Sequence, residues 1–384
     1  MMGAGRFQPC LILDSAADGD NYNARLMLQC RGQPAQGQKT VAPAPCRRID
    51  LHKVLYVSYQ VEFMAANLSQ NVEMNSAAAD LGAAEASASL SAVTDAVSAA
   101  FLGRRHAIET ALTCLVADGH LLIEDVPGSG KTALSAALAR ALGLDFQRVQ
   151  CTNDLLPADI TGLSIFNRDT GQFAMREGPV FTQVLLADEL NRAPSKTQSA
   201  LLQAMEERAV TIDRETRALP RPFLVIATQN PAEQIGTFDL PESQLDRFSL
   251  SMEIGRPDHD TQAAILAGMR GHDIDNVVQV IDADNLLAVQ QAARRLPLDD
   301  AILRYGLRLA DMMETRASVS LSVRFRTQLI RLAQAGALIA GRDYVAPDDV
   351  QQAFLPAVRH RLVRVEPSAR AALVAGSIAA TDLP

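Results

Sequence analysis

The feature that most constrains the fold is the stretch at residues 121–138, which reads LLIEDVPGSGKTALSAAL. Its apolar start predicts a buried strand, a Pro-Gly-Ser-Gly turn follows, and Lys131 and Thr132 open an alanine- and leucine-rich helix. Strand, glycine loop, lysine-threonine pair and helix together form the phosphate-binding P-loop pattern. In proteins with this pattern the carboxyl edge of a parallel sheet faces the phosphates.

The predicted chemistry of this loop follows from its backbone. Two glycines let backbone N–H groups approach phosphate oxygens without an intervening Cβ, and the following helix directs its positive end at the same anion. Lys131 supplies a mobile positive charge, and the Thr132 hydroxyl is a ligand for Mg²⁺. The pattern usually has glycine where this chain has Asp125, and the alternative interpretation is a plain strand–turn–helix. The predicted nucleotide-binding residues are Pro127, Gly128, Ser129, Gly130, Lys131 and Thr132.

Composition narrows the class of protein. The chain has 384 residues, 48% of them hydrophobic but only 4% aromatic and none tryptophan, so the core must be aliphatic. A net charge of −8 argues against a broadly basic surface for nucleic acid. We expect no membrane span, because no apolar run reaches about 18 residues, and no signal peptide. The five cysteines form no C-x-x-C pair, which is typical of free thiols in a reducing compartment and predicts a cytoplasmic protein.

Three regions are predicted along the chain. Residues 1–87 are irregular in sequence and predict a disordered or mis-assigned extension, with translation starting at Met64 or Met74 as one hypothesis and a docking tail as another. Residues 88–256, which begin with a helix from about residue 88, alternate strands with helices and predict an α/β fold with a doubly wound parallel sheet. Residues 257–384 lose the strand pattern and predict a small all-helical domain, with helices near 260–269, 285–295, 299–315, 324–340 and 347–361.

Polar residues at the ends of two further apolar strands complete a candidate site. Asp188 and Glu189 follow the run VLLA, where Asp188 is predicted to hold Mg²⁺ and Glu189 to polarise the attacking water. Asn230 ends the strand LVIATQ and is predicted to orient that water, with an Asx turn before Pro231 as the alternative.

Arginines outside these strands are candidates for contacts with the γ-phosphate. Arg247 follows a short helix and, in a ring-shaped assembly, would reach the neighbour's γ-phosphate. Arg324 opens a helix of the small domain and is predicted to touch the phosphates of its own chain, with Arg326 as a rival on the same turn. The alternative for each arginine is a solvated surface position.

From about residue 103 to residue 361 the chain resembles the MoxR-type AAA+ ATPases. The resemblance rests on EDVPGSGKT, VQCTNDLLPADITG, GPVF, LLADELNRAPSKTQSALLQAMEER, IATQNP, LPESQLDRF and GRDYVAPDDV, which occur in the family's order. It implies an insert in helix 2 at residues 155–180 and a hairpin before sensor 1 at residues 210–222. The site residues that it implies are Walker A at Lys131 and Thr132, Walker B at Asp188 and Glu189, sensor 1 at Asn230, an arginine finger at Arg247, sensor 2 at Arg324, and Gly103 near the adenine.

The resemblance also implies a function. It implies ATP and Mg²⁺ as cofactors and a homo-oligomeric ring, expected to be a hexamer. It also implies chaperone-like remodelling, activation or metal-loading of protein clients, with von Willebrand factor A-domain proteins as suggested partners. The alternative is a DNA-acting motor related to helix-2-insert helicases, which needs a basic hairpin. Here Arg214, Arg217 and Arg221 stand beside Asp213 and Glu215, so the net positive charge is small and no nucleic acid is expected. A nucleotide-gated scaffold is a third reading, against which Glu189 argues.

Overall fold

The computed structural model describes residues 81–168, 171–213, 215–230, 236–267 and 274–384. The predicted extension lies outside the described residues as far as residue 80, as do Asp169, Thr170 and Arg214. The described residues all belong to one compact unit, in which the predicted boundary near residues 256–257 stays a prediction.

Five parallel strands form the central sheet, in the order β2–β5–β8–β1–β9. The interior strand β5 is buried along its whole length, as expected of a strand covered by helices on both faces. The predicted α/β fold with a parallel sheet is therefore confirmed. In chain order the strands are β1 (Leu121–Glu124), β2 (Phe146–Gln150), β3 (Gly162–Asn167), β4 (Gln172–Glu177), β5 (Val184–Asp188), β6 (Ala209–Ile212), β7 (Glu215–Ala218), β8 (Leu224–Gln229) and β9 (Leu250–Met252).

The helices flank this sheet and then continue alone to the end of the chain. They are α1 (Ala83–Ala100), α2 (Arg105–Val116), α3 (Lys131–Ala141), α4 (Pro157–Thr161), α5 (Ser195–Glu207), α6 (Glu242–Leu245), α7 (His259–Leu266), α8 (Ala283–Arg295), α9 (Asp300–Ala317), α10 (Val323–Ile339), α11 (Pro347–Val358) and α12 (Pro367–Ala379). Short 3₁₀ turns cover Leu190–Arg192, Ile274–Asn276 and Arg359–Arg361.

Two of the longer helices differ most from the prediction. Helix α1 begins at Ala83 rather than near residue 88, because Ala86 in its first turns is already fully buried against the core. Helix α12 was not predicted, since its small and mixed residues give little contrast between an apolar and a polar face. Its burial rests mainly on Val374 and Ser377.

The core lies on both faces of the sheet. Along β5, Val184 and Leu186 join the cluster that continues into α1, α2, α3 and the C-terminal helices, while Leu185 and Ala187 join the cluster beneath α5. Successive strand residues point to opposite faces, so one apolar run supplies both clusters. One core thus extends from the sheet into the helical region and holds the two together.

Two antiparallel strand pairs lie in the predicted insert and in the predicted hairpin. Strands β3 and β4 pair within the predicted insert at residues 155–180, and β6 pairs with β7 over residues 209–218, one residue before the predicted start of the hairpin at residue 210. On the second hairpin Arg217 forms ion pairs with Glu215 at 3.5 Å and with Glu177 of β4 at 3.7 Å. Its charge is therefore partly balanced from both sides.

Candidate active site

The glycine loop between β1 and α3 has the backbone that a phosphate cradle requires. Gly130 has φ +94°, in the left-handed region, and a Cβ there would lie 2.8 Å from Cε2 of Phe101. Glycine is needed because any side chain would be both strained and crowded. Beside it, Gly128 faces open space, which leaves room for an anion at the start of α3.

Two polar groups in this loop lack the partners that a phosphate would provide. Within the part of the chain that the structure describes, the Lys131 Nζ donates only to backbone carbonyls, that of Asp125 at 2.5 Å and that of Val126 at 3.3 Å. Among the described residues, the buried Ser129 Oγ has no hydrogen-bond partner. Burial lowers the pKa of Lys131, and the Asp125 charge opposes this shift. A mobile ammonium and an orphan hydroxyl beside open space fit the phosphates of a nucleotide, and Thr132 lies in the first turn of α3 as predicted.

Asp125, which departs from the usual pattern, has a structural role. Its Oδ1 accepts from the Val126 N–H at 2.7 Å, and its Oδ2 accepts from the N–H groups of Ile254 and Gly255, both at 2.9 Å. One carboxylate therefore fastens the start of the loop to the segment after β9. Three charge-assisted bonds explain why the loop keeps its geometry without a glycine here.

The turn between α1 and α2 lies against the loop, and sequence reasoning missed most of it. The Arg104 guanidinium donates to the Ser129 carbonyl and lies 4.9 Å from the centre of the Phe101 ring. Burial lowers the pKa of Arg104. Gly103, predicted to lie near the adenine, has φ +71°, and a Cβ there would lie 2.8 Å from the Thr261 side chain at the start of α7. Gly103 is thus close to the loop and at a crowded joint between two elements.

The two carboxylates after β5 are held in a hydrogen-bond network. Asp188 is 7% exposed; its Oδ1 accepts from the Thr228 hydroxyl at 2.7 Å and its Oδ2 from Nη2 of Arg148 at 2.7 Å. The Glu189 N–H donates to the same Thr228 hydroxyl at 2.9 Å, although Glu189 has φ +57°. A non-glycine residue in this conformation is strained unless its surroundings fix it. The network therefore orients both carboxylates.

Neighbouring side chains complete this network. Glu189 Oε2 accepts from Nε2 of Gln150 at 3.0 Å and pairs with Arg192 at 3.2 Å. Asn230 follows β8 and is 8% exposed, at the same carboxyl edge of the sheet. Arg148, Gln150 and Thr228 were not predicted, because their roles depend on β2 and β8 flanking β5, and this order is not visible in the sequence.

Arg247 and Arg324 lie at the opposite, amino-terminal edge of the sheet. Both bind Glu206 near the end of α5: Nη2 of Arg247 lies 3.0 Å from Oε2, and Nη2 of Arg324 contacts Oε1. They line a cleft of about 380 Å³ that also includes His120, which precedes β1, and Ser249, which precedes β9. In this structure Arg324 therefore lies away from the glycine loop of its own chain, and its predicted contact with those phosphates stays a prediction. The rival Arg326 pairs instead with Asp311 and Glu314 of α9, at 2.6 and 3.2 Å.

The docking of the helical region explains where Arg324 lies. The Ser322 hydroxyl caps α10 by accepting from the Phe325 N–H at 3.0 Å, and it donates to Oδ2 of Asp246 at 2.8 Å. Arg361, 5% exposed, donates to Oδ1 of Asp246 at 2.9 Å. The first contact holds the start of α10, and the second holds the 3₁₀ turn after α11, against the turn that carries Arg247.

Comparison with known proteins places this geometry in a family. The chain is 38% identical over 273 residues to Chaperone MoxR1 of Mycobacterium tuberculosis, covering 68% of this chain and 72% of that protein. The chain belongs to the MoxR-type AAA+ ATPases. It is also 43% identical over 265 residues to the uncharacterized protein YeaC of Bacillus subtilis, covering 68% of this chain and 83% of that one. Protein MoxR of Methylorubrum extorquens is 30% identical over 293 residues, covering 69% and 85%.

Family models and a solved structure agree with membership of the MoxR family. The model described as the ATPase family associated with various cellular activities (AAA) matches residues 120–250, and the AAA lid domain model matches residues 312–377. The crystal structure of an ATPase candidate from Cytophaga hutchinsonii superposes with a TM-score of 0.70 at 31% identity, covering 83% of this chain and 99% of that one. The chain is thus a nucleotide-binding, ATP-hydrolysing member of a chaperone-like family, with a helical lid after its sheet.

No helix within the described ranges combines the length and the apolar character needed to span a membrane.

Proposed function

We propose that this chain forms a ring in which each subunit binds Mg-ATP at its own glycine loop and hydrolyses it with arginines from the neighbouring subunit. The observation that carries this proposal is the separation of the two sets of residues. Lys131 and Asp188 lie at the carboxyl edge of the sheet, whereas Arg247 and Arg324 lie at the amino-terminal edge. Arginines so placed cannot serve the phosphates of their own chain, but a head-to-tail neighbour brings the two edges together.

Within one subunit, the loop residues bind the phosphates, and the residues at the strand ends hold the metal ion and orient the attacking water. Lys131 exchanges its backbone carbonyl partners for phosphate oxygens, and the Ser129 hydroxyl gains a partner there. Thr132 and Asp188 would hold Mg²⁺, which when bound neutralises phosphate charge. Glu189 holds the attacking water and accepts its proton, and Asn230 fixes the direction of that water.

A mixing experiment tests the shared site. Arg247→Ala keeps the glycine loop intact, and Lys131→Ala keeps the arginines intact; each variant alone should lose most ATPase activity. Mixed subunits should regain activity, because an intact loop then meets intact arginines across some interfaces. Activity that mixing does not restore would contradict catalysis across subunits.

Nucleotide affinity provides the control for this experiment. Arg247→Ala should bind ATP as the wild type does, since Arg247 lies far from its own loop, whereas Lys131→Ala should bind it weakly. Equal loss of binding in both variants would mean that Arg247 acts on its own chain.

The proposed clients are proteins that this ATPase remodels, activates or loads with metal, with von Willebrand factor A-domain proteins as one class. The name Chaperone MoxR1 supports a protein client. The proposed compartment is the cytoplasm, in keeping with the buried free thiols of Cys114 and Cys151. A pull-down with ATP-loaded Glu189→Gln tests this proposal: recovery of such a protein supports it, and recovery of nucleic acid alone would favour the DNA-acting alternative.

A further inference from the structure

We propose that Glu206 is a positioning residue that holds Arg247 and Arg324 together in the arrangement in which they meet the neighbour's phosphates. The inference rests on the proposed function, because it gives Glu206 its role through two arginines that serve the neighbouring subunit.

The geometry is that of one carboxylate shared by two cations. Each oxygen of Glu206 takes one arginine, Oε2 that of Arg247 and Oε1 that of Arg324. Each guanidinium uses one nitrogen, Nη2, in this contact. A guanidinium has five N–H donors in a fixed fork, so most of its donors stay available for an incoming phosphate. The carboxylate orients the arginines without consuming their capacity to bind.

Charge explains why a carboxylate is needed at this point. Two guanidinium groups beside each other repel, and other arginines line the same cleft, namely Arg208 and Arg331. The Arg324 charge also acts on Arg361. Burial and the positive charge of Arg324 both lower the pKa of Arg361. The other acid of the cleft, Asp118, is already bound to Arg208 at 2.8 Å and to Arg294 at 2.7 Å. Among the described residues, Glu206 is thus the acid that offsets the repulsion between Arg247 and Arg324.

The placement of Glu206 links it to the chain's own nucleotide site. Helix α5 follows the turn after Glu189 and runs to Glu207, a length of about 20 Å at 1.5 Å per residue. Its Gln198 donates to the carbonyl of Leu190, the residue after Glu189, at 3.3 Å. Its last turn carries Glu206 at the opposite edge of the sheet. A rigid helix therefore joins the site of one subunit to the arginines that it offers to the next.

The test compares Glu206→Ala and Glu206→Gln with Glu207→Gln. The adjacent Glu207 instead accepts from Nε2 of Gln203 at 2.9 Å, so it controls for charge loss on the same helix. We expect Glu206→Ala to lower kcat by about tenfold or more, equivalent to about 1.4 kcal/mol, with ATP affinity and ring assembly unchanged. Glu207→Gln should stay near the wild type, and Glu206→Asp should recover part of the loss.

Repeating the Glu206 substitution in a variant that lacks both arginines tells whether Glu206 positions the arginines or only stabilises the fold. In Arg247→Ala, Arg324→Ala subunits the arginines to be positioned are missing, so adding Glu206→Ala should change the residual activity by less than about twofold. A further loss of similar size in that background would mean that Glu206 stabilises the fold instead. Unchanged or raised kcat in Glu206→Ala alone would overturn the inference.

The same measurements distinguish its failure from that of the proposed function. Arginine variants that retain full activity would contradict catalysis across subunits. Inactive arginine variants beside a fully active Glu206→Ala would contradict only the role of Glu206.

Discussion

At the scale of single residues, the site depends on side chains that hold backbone rather than substrate. Thr228 accepts from the Glu189 N–H and donates to Asp188, so one hydroxyl fixes both carboxylates. Asp125 does the same for the loop by binding three N–H groups. Both residues are polar groups whose hydrogen bonds are satisfied internally, which makes their removal costly.

Substitution of Asp125 measures this cost. Asp125→Gly restores the usual loop pattern but leaves the N–H groups of Ile254 and Gly255 without their carboxylate. We expect it to lower the free energy of unfolding by about 1–3 kcal/mol and to weaken ATP binding, as measured by urea denaturation and nucleotide titration. A variant as stable as the wild type that binds ATP equally well would show that the anchor is dispensable.

His120 gives a prediction for pH. Burial and the nearby Arg208 lower the pKa of His120 to about 3, while its Nδ1 accepts from the Val225 N–H at 3.0 Å. In the unfolded chain the same pKa is about 6.5, so between these values the unfolded state binds the extra proton. Stability is therefore complete above pH 6.5 and falls as the pH drops toward 3, by at most about 1.4 kcal/mol per unit.

The measurement is urea denaturation at pH 7.5, 6.5 and 5.5 for wild type and His120→Gln. The amide can keep the hydrogen bonds that His120 makes with the Val225 N–H and the Met205 carbonyl, but it does not titrate. The difference in stability between the two proteins should therefore shift by about 1.4 kcal/mol in favour of the variant between pH 7.5 and 5.5. His106→Gln, at an exposed position of α2, controls for loss of an imidazole. If the free energy of unfolding changed with pH in the same way in wild type and His120→Gln, the lowered pKa of His120 would be contradicted.

At the scale of elements, the joint between sheet and lid centres on the turn after α6. Asp246 receives bonds from Ser322 and from the buried Arg361, which also donates to the Phe248 carbonyl at 3.0 Å and lies 5.0 Å from the centre of the Phe325 ring. Because Arg361 is surrounded by protein, its charge depends on Asp246 as the matching acid. The lid is therefore held by an ion pair that is largely removed from water.

This joint predicts a large effect for a single substitution. Asp246→Ala leaves Arg361 buried without its partner and should cost about 3–5 kcal/mol of unfolding free energy. The matched control is Glu242→Ala, which removes the exposed pair with Arg364 and should cost less than about 1 kcal/mol. Chemical denaturation of both variants measures these losses. Equal losses of unfolding free energy in the two variants would contradict the larger contribution of the Asp246–Arg361 pair.

The same joint marks the limit of sequence reasoning. The strands, the glycine loop and the carboxylates at strand ends were predictable, since each follows from a local pattern of apolar and polar residues. The position of Arg324 was not, because it depends on how α10 docks through Ser322 and Asp246, residues far apart in the chain. Arg148 and Thr228 were missed for a similar reason: their partners lie on neighbouring strands, and strand order is a tertiary property.

At the scale of the whole molecule, the proposed ring predicts how activity depends on concentration. A subunit with its arginines at one edge and its loop at the other is inactive alone, so ATPase activity per subunit should rise with protein concentration and then level off as rings form. Turnover measured across a dilution series, with assembly followed by sedimentation, checks this. Activity per subunit that stays constant down to the monomer would contradict the ring.

Asp246 and Arg247 are consecutive residues with opposite duties. The first is fastened to the lid and the second faces the cleft, and only about 3.8 Å separates their Cα atoms. Because a single peptide unit joins the two residues, a rotation of the lid that moves Asp246 also moves Arg247. In the proposed ring, a lid motion caused by nucleotide in one subunit would then move the arginine that this subunit offers to the next. Hydrolysis would therefore pass from one subunit to its neighbour instead of occurring in all subunits at once.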